Sequence, residues 1–239
     1  MKLIVATEGA FPPYNFVAED GSLQGFDVDF AKAVCEKINA ECEIIKQDWD
    51  GMIPGLMAKK YDLIVASMGI LPEREEKIDF SKPYYQAPTA LVAIKALGLK
   101  TGADGYVDPA ALAGKKIGVQ RATAYETFAR ANWPGAEIVV YDSSESANLD
   151  ITGGRLDARF DDFITLRETL LKAEGANELE RVGGIWPEKA FGSKGEGIGV
   201  RKGEADLKAK VDKAILDMRA DGTYKTINDK YFDFDIYGQ

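Results

Sequence analysis

Few residues in this chain could do chemistry of their own. Among 239 residues there is no histidine, which removes Ser-His-Asp and Cys-His nucleophile systems and histidine-ligated zinc together. Cys35 and Cys42 are the two cysteines, too few for a four-cysteine metal site and without the C-x-x-C spacing of a redox pair. Their separation leaves two readings open: a small disulfide loop, which belongs in an oxidising compartment, or two buried thiols. The run Gly192-Ser193-Lys194-Gly195-Glu196-Gly197-Ile198-Gly199 feeds a strand instead of opening a helix, so it does not make a phosphate cradle. Gly114-Lys115-Lys116 lacks the upstream glycine of a P-loop. The acidic groups Glu73, Glu75 and Glu76, and Asp229, Asp233 and Asp235, lack the regular oxygen spacing of a hard-cation loop and read as solvated faces. No metal and no cofactor is expected.

The elements that carry these residues alternate. Leu3 to Ala6 is an apolar strand, and Phe26 to Ile38 has apolar side chains at helical spacing on one face. Cys42 to Ile45 follows as a strand, Trp49 to Lys59 as a helix with Asp50 as its N-cap, and Asp62 to Ser67 as a third strand. The pattern restarts with a strand at Lys116 to Val119, a helix at Thr123 to Ala131, a strand at Glu137 to Tyr141, a helix at Ser144 to Ile151 and a strand at Ala158 to Asp161. Between the two halves, Leu97 to Ala111 reads as a loop. A strand at Gly197 to Val200, an amphipathic helix from about Glu204 to Arg219 and a helical turn near Tyr224 to Tyr231 close the chain. That tail is too short for its own core and should pack on one of the two halves, the first.

Strands alternating with helices argue mixed α/β sheets. A 46% hydrophobic composition suffices for two cores and excludes a disordered chain. Thirty Lys+Arg against thirty-nine Asp+Glu give a net charge of -9, which repels phosphate backbones and excludes nucleic acid as a natural partner. No apolar run approaches the ~20 residues that span a bilayer. The N-terminus shows no signal peptide, consistent with a cytosolic protein or a mature secreted form with an added initiator Met.

Several segments together resemble the periplasmic amino-acid solute-binding proteins of ABC transporters, in particular the lysine/arginine/ornithine, histidine and opine binders. They are Gly25-Phe26-Asp27-Val28-Asp29, Asp48-Trp49-Asp50-Gly51-Met52-Ile53-Pro54-Gly55-Leu56, Tyr61-Asp62-Leu63-Ile64 with Arg74, and Ile78-Asp79-Phe80-Ser81-Lys82-Pro83-Tyr84-Tyr85. Gly118-Val119-Gln120, Gly154-Arg155-Leu156-Asp157-Ala158, Asp221-Gly222-Thr223-Tyr224 and Tyr231-Phe232-Asp233-Phe234 continue the series. The resemblance implies the α/β two-lobed type II periplasmic binding protein fold. Lobe 1 would be residues 1–89 and 190–239, and lobe 2 residues 90–189. Two hinge strands near Thr89 to Ile94 and Trp186 to Phe191 would join them, and the lobes would close over one amino acid. It further implies a Cys35–Cys42 disulfide, a periplasmic mature form, a monomer, and a membrane permease as partner.

Carried over residue by residue, the resemblance makes Arg74 the clamp for the ligand carboxylate, because a guanidinium holds both oxygens at once. Ser67 stands beside it, and Thr123 opens a helix whose N–H groups could face the same carboxylate. Asp162 matches the partner of the ligand ammonium, with Asp161 its neighbour and competitor. Phe11 and Trp49 would sandwich the ligand side chain, and Glu8 would face a distal cation. Gly69 stands where these binders usually carry a serine. It removes a hydroxyl acceptor and opens space beside the ligand α-carbon, which a secondary amine such as an opine could use. Arg121 and Arg159 could then meet a second carboxylate, or simply lie exposed on the surface.

Three functions follow as expectations. The leading one is a non-catalytic receptor for a basic L-amino acid of the arginine, lysine, ornithine and histidine class, with an opine as the alternative ligand. A dehydratase-type enzyme on the same fold would use Glu8 as its acid. The third is the ligand-binding module of a larger receptor.

Overall fold

The computed structural model describes residues 1–173 and 176–238. The chain divides into two compact units, unit 1 from Met1–Gln86 together with the chain from Gly192 onward, and unit 2 from Ala87–Phe191. The segments expected as hinge strands both fall in unit 2, and the chain passes between units at Gln86–Ala87 and Phe191–Gly192.

Unit 1 begins with β1 (Lys2–Thr7), then a small antiparallel sheet of β2 (Ala10–Phe11), β3 (Asn15–Val17) and β4 (Leu23–Gln24). After it come α1 (Phe26–Lys37), β5 (Glu41–Lys46), α2 (Met52–Met57), β6 (Leu63–Ile64), α3 (Pro72–Glu75) and β7 (Asp79–Phe80). Unit 2 runs β8 (Thr89–Ile94), β9 (Lys116–Gln120), α4 (Ala124–Asn132), β10 (Glu137–Tyr141), α5 (Ser144–Thr152), β11 (Ala158–Asp162), α6 (Phe163–Leu166) and β12 (Leu179–Trp186). The chain then returns to unit 1 as β13 (Gly199–Val200), α7 (Ala205–Ala220) and α8 (Thr223–Tyr231), the last two packed on α1.

The two main sheets share one plan. Unit 1 has the order β5-β1-β6-β13-β7 and unit 2 the order β10-β9-β11-β8-β12. In each, the first strand of a parallel trio sits between the other two (β1 between β5 and β6, β9 between β10 and β11), and an antiparallel strand from a distant part of the chain inserts next. A chain that leaves its first strand in opposite directions makes a switch point, and the carboxyl ends of the strands beside it are where α/β sheets present ligand-binding groups.

Both cores are aromatic. In unit 1, Phe26 and Phe30 of α1 stack with Tyr84, and the Tyr224 hydroxyl of α8 donates to the Tyr84 carbonyl at 2.7 Å. Phe26 can enter only because Gly25 precedes it: φ is 119°, and a Cβ there would lie 2.3 Å from the Tyr14 carbonyl oxygen. In unit 2, Phe160 of β11 packs against Trp133 and Trp186. Gly118 is fixed by close approach, since a Cβ would meet Leu156 at 2.4 Å.

Two expectations change. Asp50 is not a helix N-cap; it lies inside a single 3-10 turn, Trp49–Gly51, and α2 starts only at Met52. Pro54 has no N–H to bond the Asp50 carbonyl, so the α-helical ladder cannot begin there; the Tyr61 hydroxyl instead donates to the Met52 carbonyl. Arg159 is not at the surface but wholly buried. The two- and three-residue strands of the β2–β3–β4 sheet carry no periodicity long enough to be read from the sequence, and the eight-residue β12 is interrupted by Gly183-Gly184, where its register shifts.

Cys35, near the end of α1, is bonded to Cys42 of β5 with a Cα–Cα separation of 6.1 Å. The bridge staples the helix to the edge strand of its own sheet. For a loop this short the chain-entropy relation gives about 2.5 kcal/mol of stabilisation. We expect a Cys35→Ser/Cys42→Ser variant, or the reduced protein, to melt about 5–10 °C lower by calorimetry; an unchanged Tm would show that the bridge constrains nothing.

Candidate functional site

In unit 1 the expected residues gather past the carboxyl ends of β1 and β6. Glu8 follows β1 directly and is buried, and Phe11 is buried against Tyr14 with ring centroids 5.7 Å apart. Arg74 sits on α3, a single turn that Pro72 starts at a position where no amide donor is needed. The residue is 8% exposed; its guanidinium lies 5.2 Å from the Trp49 ring centroid and donates through Nη1 to the Gly69 carbonyl at 3.0 Å. Trp49 therefore shelves the cation, while the rest of its indole packs on the Met52 and Leu56 cluster.

Ser67 is turned inward. Its hydroxyl donates to Asp27 at 2.8 Å and its N–H donates to the Tyr84 hydroxyl at 3.2 Å, with φ held at 52°. Asp27 is the hub that sequence reading missed. Its fully buried carboxylate accepts from Asn15 Nδ2 at 2.7 Å, Ser67 Oγ at 2.8 Å and the Tyr84 hydroxyl at 2.6 Å. Asn15 in turn accepts from the Gly9 N–H at 2.8 Å. Burial pushes the Asp27 carboxyl up, and these three hydrogen bonds pull it back toward the charged form. Asp27 thus ties the loop behind Glu8 to the loop that carries Ser67.

In unit 2, Thr123 is the N-cap of α4: its hydroxyl accepts from the Glu126 N–H at 3.2 Å and donates to the Gln120 carbonyl at 2.7 Å. The Ala122 N–H is taken by the Glu126 carboxylate at 2.9 Å. Asp162 ends β11, is fully buried, and accepts from the Thr165 N–H at 2.7 Å. Its competitor Asp161 is committed elsewhere. One oxygen of Asp161 accepts from Arg159 and from Ser144 at 2.8 Å, and the other accepts from the Asp162 N–H at 2.9 Å. Arg159 adds bonds to the Gly118 carbonyl at 2.7 Å and to Asn148 at 3.0 Å, so it is an internal brace. Arg121 is exposed and paired with Asp142 at 2.9 Å. Burial, above all, pushes the Asp162 carboxyl up to about 8, with the Asp161 and Glu188 charges adding to the shift.

Unit 1 thus carries a buried guanidinium on α3 stacked on Trp49, and unit 2 carries a buried carboxyl group at the end of β11. Among the described residues no cluster of His, Cys, Asp and Glu is arranged to hold a metal.

Comparison with known proteins gives a consistent answer. Residues 3–234 match the family model of the bacterial extracellular solute-binding proteins, family 3. The L-arginine-binding protein of Pseudomonas aeruginosa is 39% identical over 98% of this chain and 89% of its own length. The histidine-binding periplasmic protein of Salmonella typhimurium is 38% identical over 99% of this chain and 90% of its own. Among solved structures, an ancestral arginine-binding protein bound to arginine superposes with a TM-score of 0.85 at 35% identity, covering 97% of this chain and 98% of that one. These relatives are binding proteins, not enzymes.

A carboxyl group raised from its ordinary value of 3.8 to about 8 on folding opposes folding as it ionises. That cost is absent below the unfolded value, grows as pH rises toward the folded one, and is constant above it. Asp162→Asn keeps the cap and removes the charge, so in ligand-free protein it should raise Tm at pH 9 by several degrees and leave it unchanged near pH 4. Equal melting of the two proteins across that range would show that Asp162 ionises without penalty.

Proposed function

Since the chain belongs to the bacterial extracellular solute-binding proteins of family 3, we propose that it is a periplasmic receptor that binds a basic L-amino acid, arginine foremost, and hands it to the permease of an ABC importer. The observation that carries this reading is the presence of a buried guanidinium in unit 1 and a buried carboxyl group in unit 2. Arg74, buried and stacked on Trp49, suits an α-carboxylate, and Asp162, buried at the end of β11, suits an α-ammonium. Either charge of a zwitterion buried without its counter-charge would cost several kcal/mol. Glu8, also buried, is the acid for a distal cation, and Phe11 and Trp49 offer the rings for an alkyl or guanidinium stem. The names of relatives that bind arginine and histidine support the same ligand class.

Ligand-stripped protein titrated calorimetrically with arginine, lysine, ornithine, histidine and glutamine tests the reading. Binding is expected for the cationic members, weakened at least about a hundredfold in Arg74→Ala and in Asp162→Ala, roughly the 3–5 kcal/mol that a widowed buried charge costs. No binding by any of the five, or undiminished affinity in either variant, would overturn it. Glu8→Gln is expected to lower arginine affinity by about tenfold or more while leaving glutamine within about twofold, as a charged hydrogen bond contributes roughly 1.5–3 kcal/mol. Equal losses for both ligands would remove Glu8 from the specificity argument.

A further inference from the structure

Gly69 has no backbone reason to be glycine: unlike Gly25, its φ is not in the left-handed region. Nor is it excluded sterically, since a Cβ there would find neighbours only at ordinary contact distance. Those neighbours are the informative feature. They are Arg74 Nη1 at 3.5 Å, Ser193 Oγ at 3.5 Å and Glu196 Oε2 at 3.6 Å. The room left by the missing side chain is therefore ringed by polar atoms, one of them a carboxylate that is 4% exposed.

Glu196 is held there by its backbone. Its N–H donates to the Tyr85 carbonyl at 3.0 Å and its carbonyl accepts from the Tyr84 N–H at 2.9 Å. On either side, the Ile70 N–H donates to the Gly195 carbonyl at 2.9 Å and the Gly197 N–H donates to the Met68 carbonyl at 3.0 Å. Gly195, with φ at 110° and no space for a Cβ beside Gln86, Pro83 and Tyr85, fixes the approach. Ser193 is locked by two bonds to Gly195. The segment lies far from Gly69 in sequence and reads only as a glycine-rich run, which is why no motif announced it.

We propose that Glu196 is a specificity-determining residue: it supplies, from the returning chain, the acceptor that a side chain at Gly69 would otherwise provide, and it selects ligands by the charge of the substituent on their α-nitrogen. The proposal rests on the basic-amino-acid reading above. In an amino acid whose carboxylate lies on Arg74, the α-nitrogen is two bonds from the carboxyl carbon and roughly 3 Å from a carboxyl oxygen, so it falls among the groups that surround Arg74 Nη1. A primary ammonium there gains a charge-assisted bond to a carboxylate in a site of low dielectric constant. An N-carboxyalkyl group, as in an opine, would instead set its second carboxylate against Glu196. Like charges at close range under burial are costly. The space beside Gly69 thus favours the free amino acid and disfavours the opine.

Arginine and octopine test this, because they share guanidinium and α-carboxylate and differ at the α-nitrogen. Calorimetric titration of wild type should give arginine binding and octopine weaker by at least about a hundredfold. In Glu196→Gln, arginine should weaken by about tenfold or more and octopine should strengthen, narrowing the ratio, with Tm of the ligand-free protein within a few degrees of wild type. Adding Gly69→Ser, whose Cβ fits at the distances above, should return part of the lost arginine affinity. An unchanged ratio in Glu196→Gln, or an equal loss for both ligands together with a lowered Tm, would overturn the proposal and leave Glu196 a structural residue. Failure of wild type to bind arginine at all overturns the underlying reading instead, and the two failures are distinguished by that first titration.

Discussion

The buried carboxylate of Asp27 is the constraint on which unit 1 depends. It lies in the first turn of α1, where the helix N-terminus favours negative charge, and it accepts from Asn15, Ser67 and Tyr84. Each donor belongs to a different segment: the small β2–β3–β4 sheet, the turn after β6, and the approach to the unit boundary. An ionised group without these partners would cost more than unit 1 could tolerate, so the three segments are held to one geometry. Gly9, bonded through Asn15, and hence Glu8 beside it inherit that geometry. The Ser67 hydroxyl donates to the same carboxylate, which supports the loop that leads to Gly69.

Unit 2 reaches the same end with an ion pair. Arg159 and Asp161 are both wholly buried, and such a pair adds little net stability, though breaking it is costly. What it achieves is a division of labour between two adjacent acids. Asp161 is saturated by Arg159, Ser144 and the Asp162 N–H, which fixes the strand end and leaves Asp162 as the acid whose charge state responds to its surroundings. Arg159 also grips the Gly118 carbonyl on β9, and Gly118 must be glycine to let Leu156 approach. The middle of β9 and the start of β11 are thereby coupled.

Much of this was legible in the sequence, for identifiable reasons. Alternating strands and helices, the helical face of Phe26 to Ile38 and the apolar strand cores gave the α/β class, because periodicity reports burial directly. Arg74, Trp49 and Asp162 were singled out through motif order. What escaped was everything set by long-range geometry. The sign of burial at Arg159 was misread because an arginine beside an acid looks the same in sequence whether exposed or buried. Asp27 sat inside a recognised motif, yet its partners Asn15, Ser67 and Tyr84 lie 12, 40 and 57 residues away. Asp50 failed as a cap because a proline four residues later outweighed local propensity. Glu196 had no signal at all, since a glycine-rich run describes flexibility and not what the chain returns to touch.

The buried cation of unit 1 and the buried acid of unit 2 are kept in place by different chemistry. A guanidinium stays charged at every accessible pH, so unit 1 can only shield it, with the Trp49 ring beneath it and the Gly69 carbonyl as an acceptor. A carboxylic acid can discharge itself. Asp162, raised to about 8, holds its proton near neutral pH when nothing cationic faces it, and so avoids most of the desolvation cost that Arg74 must offset by contacts.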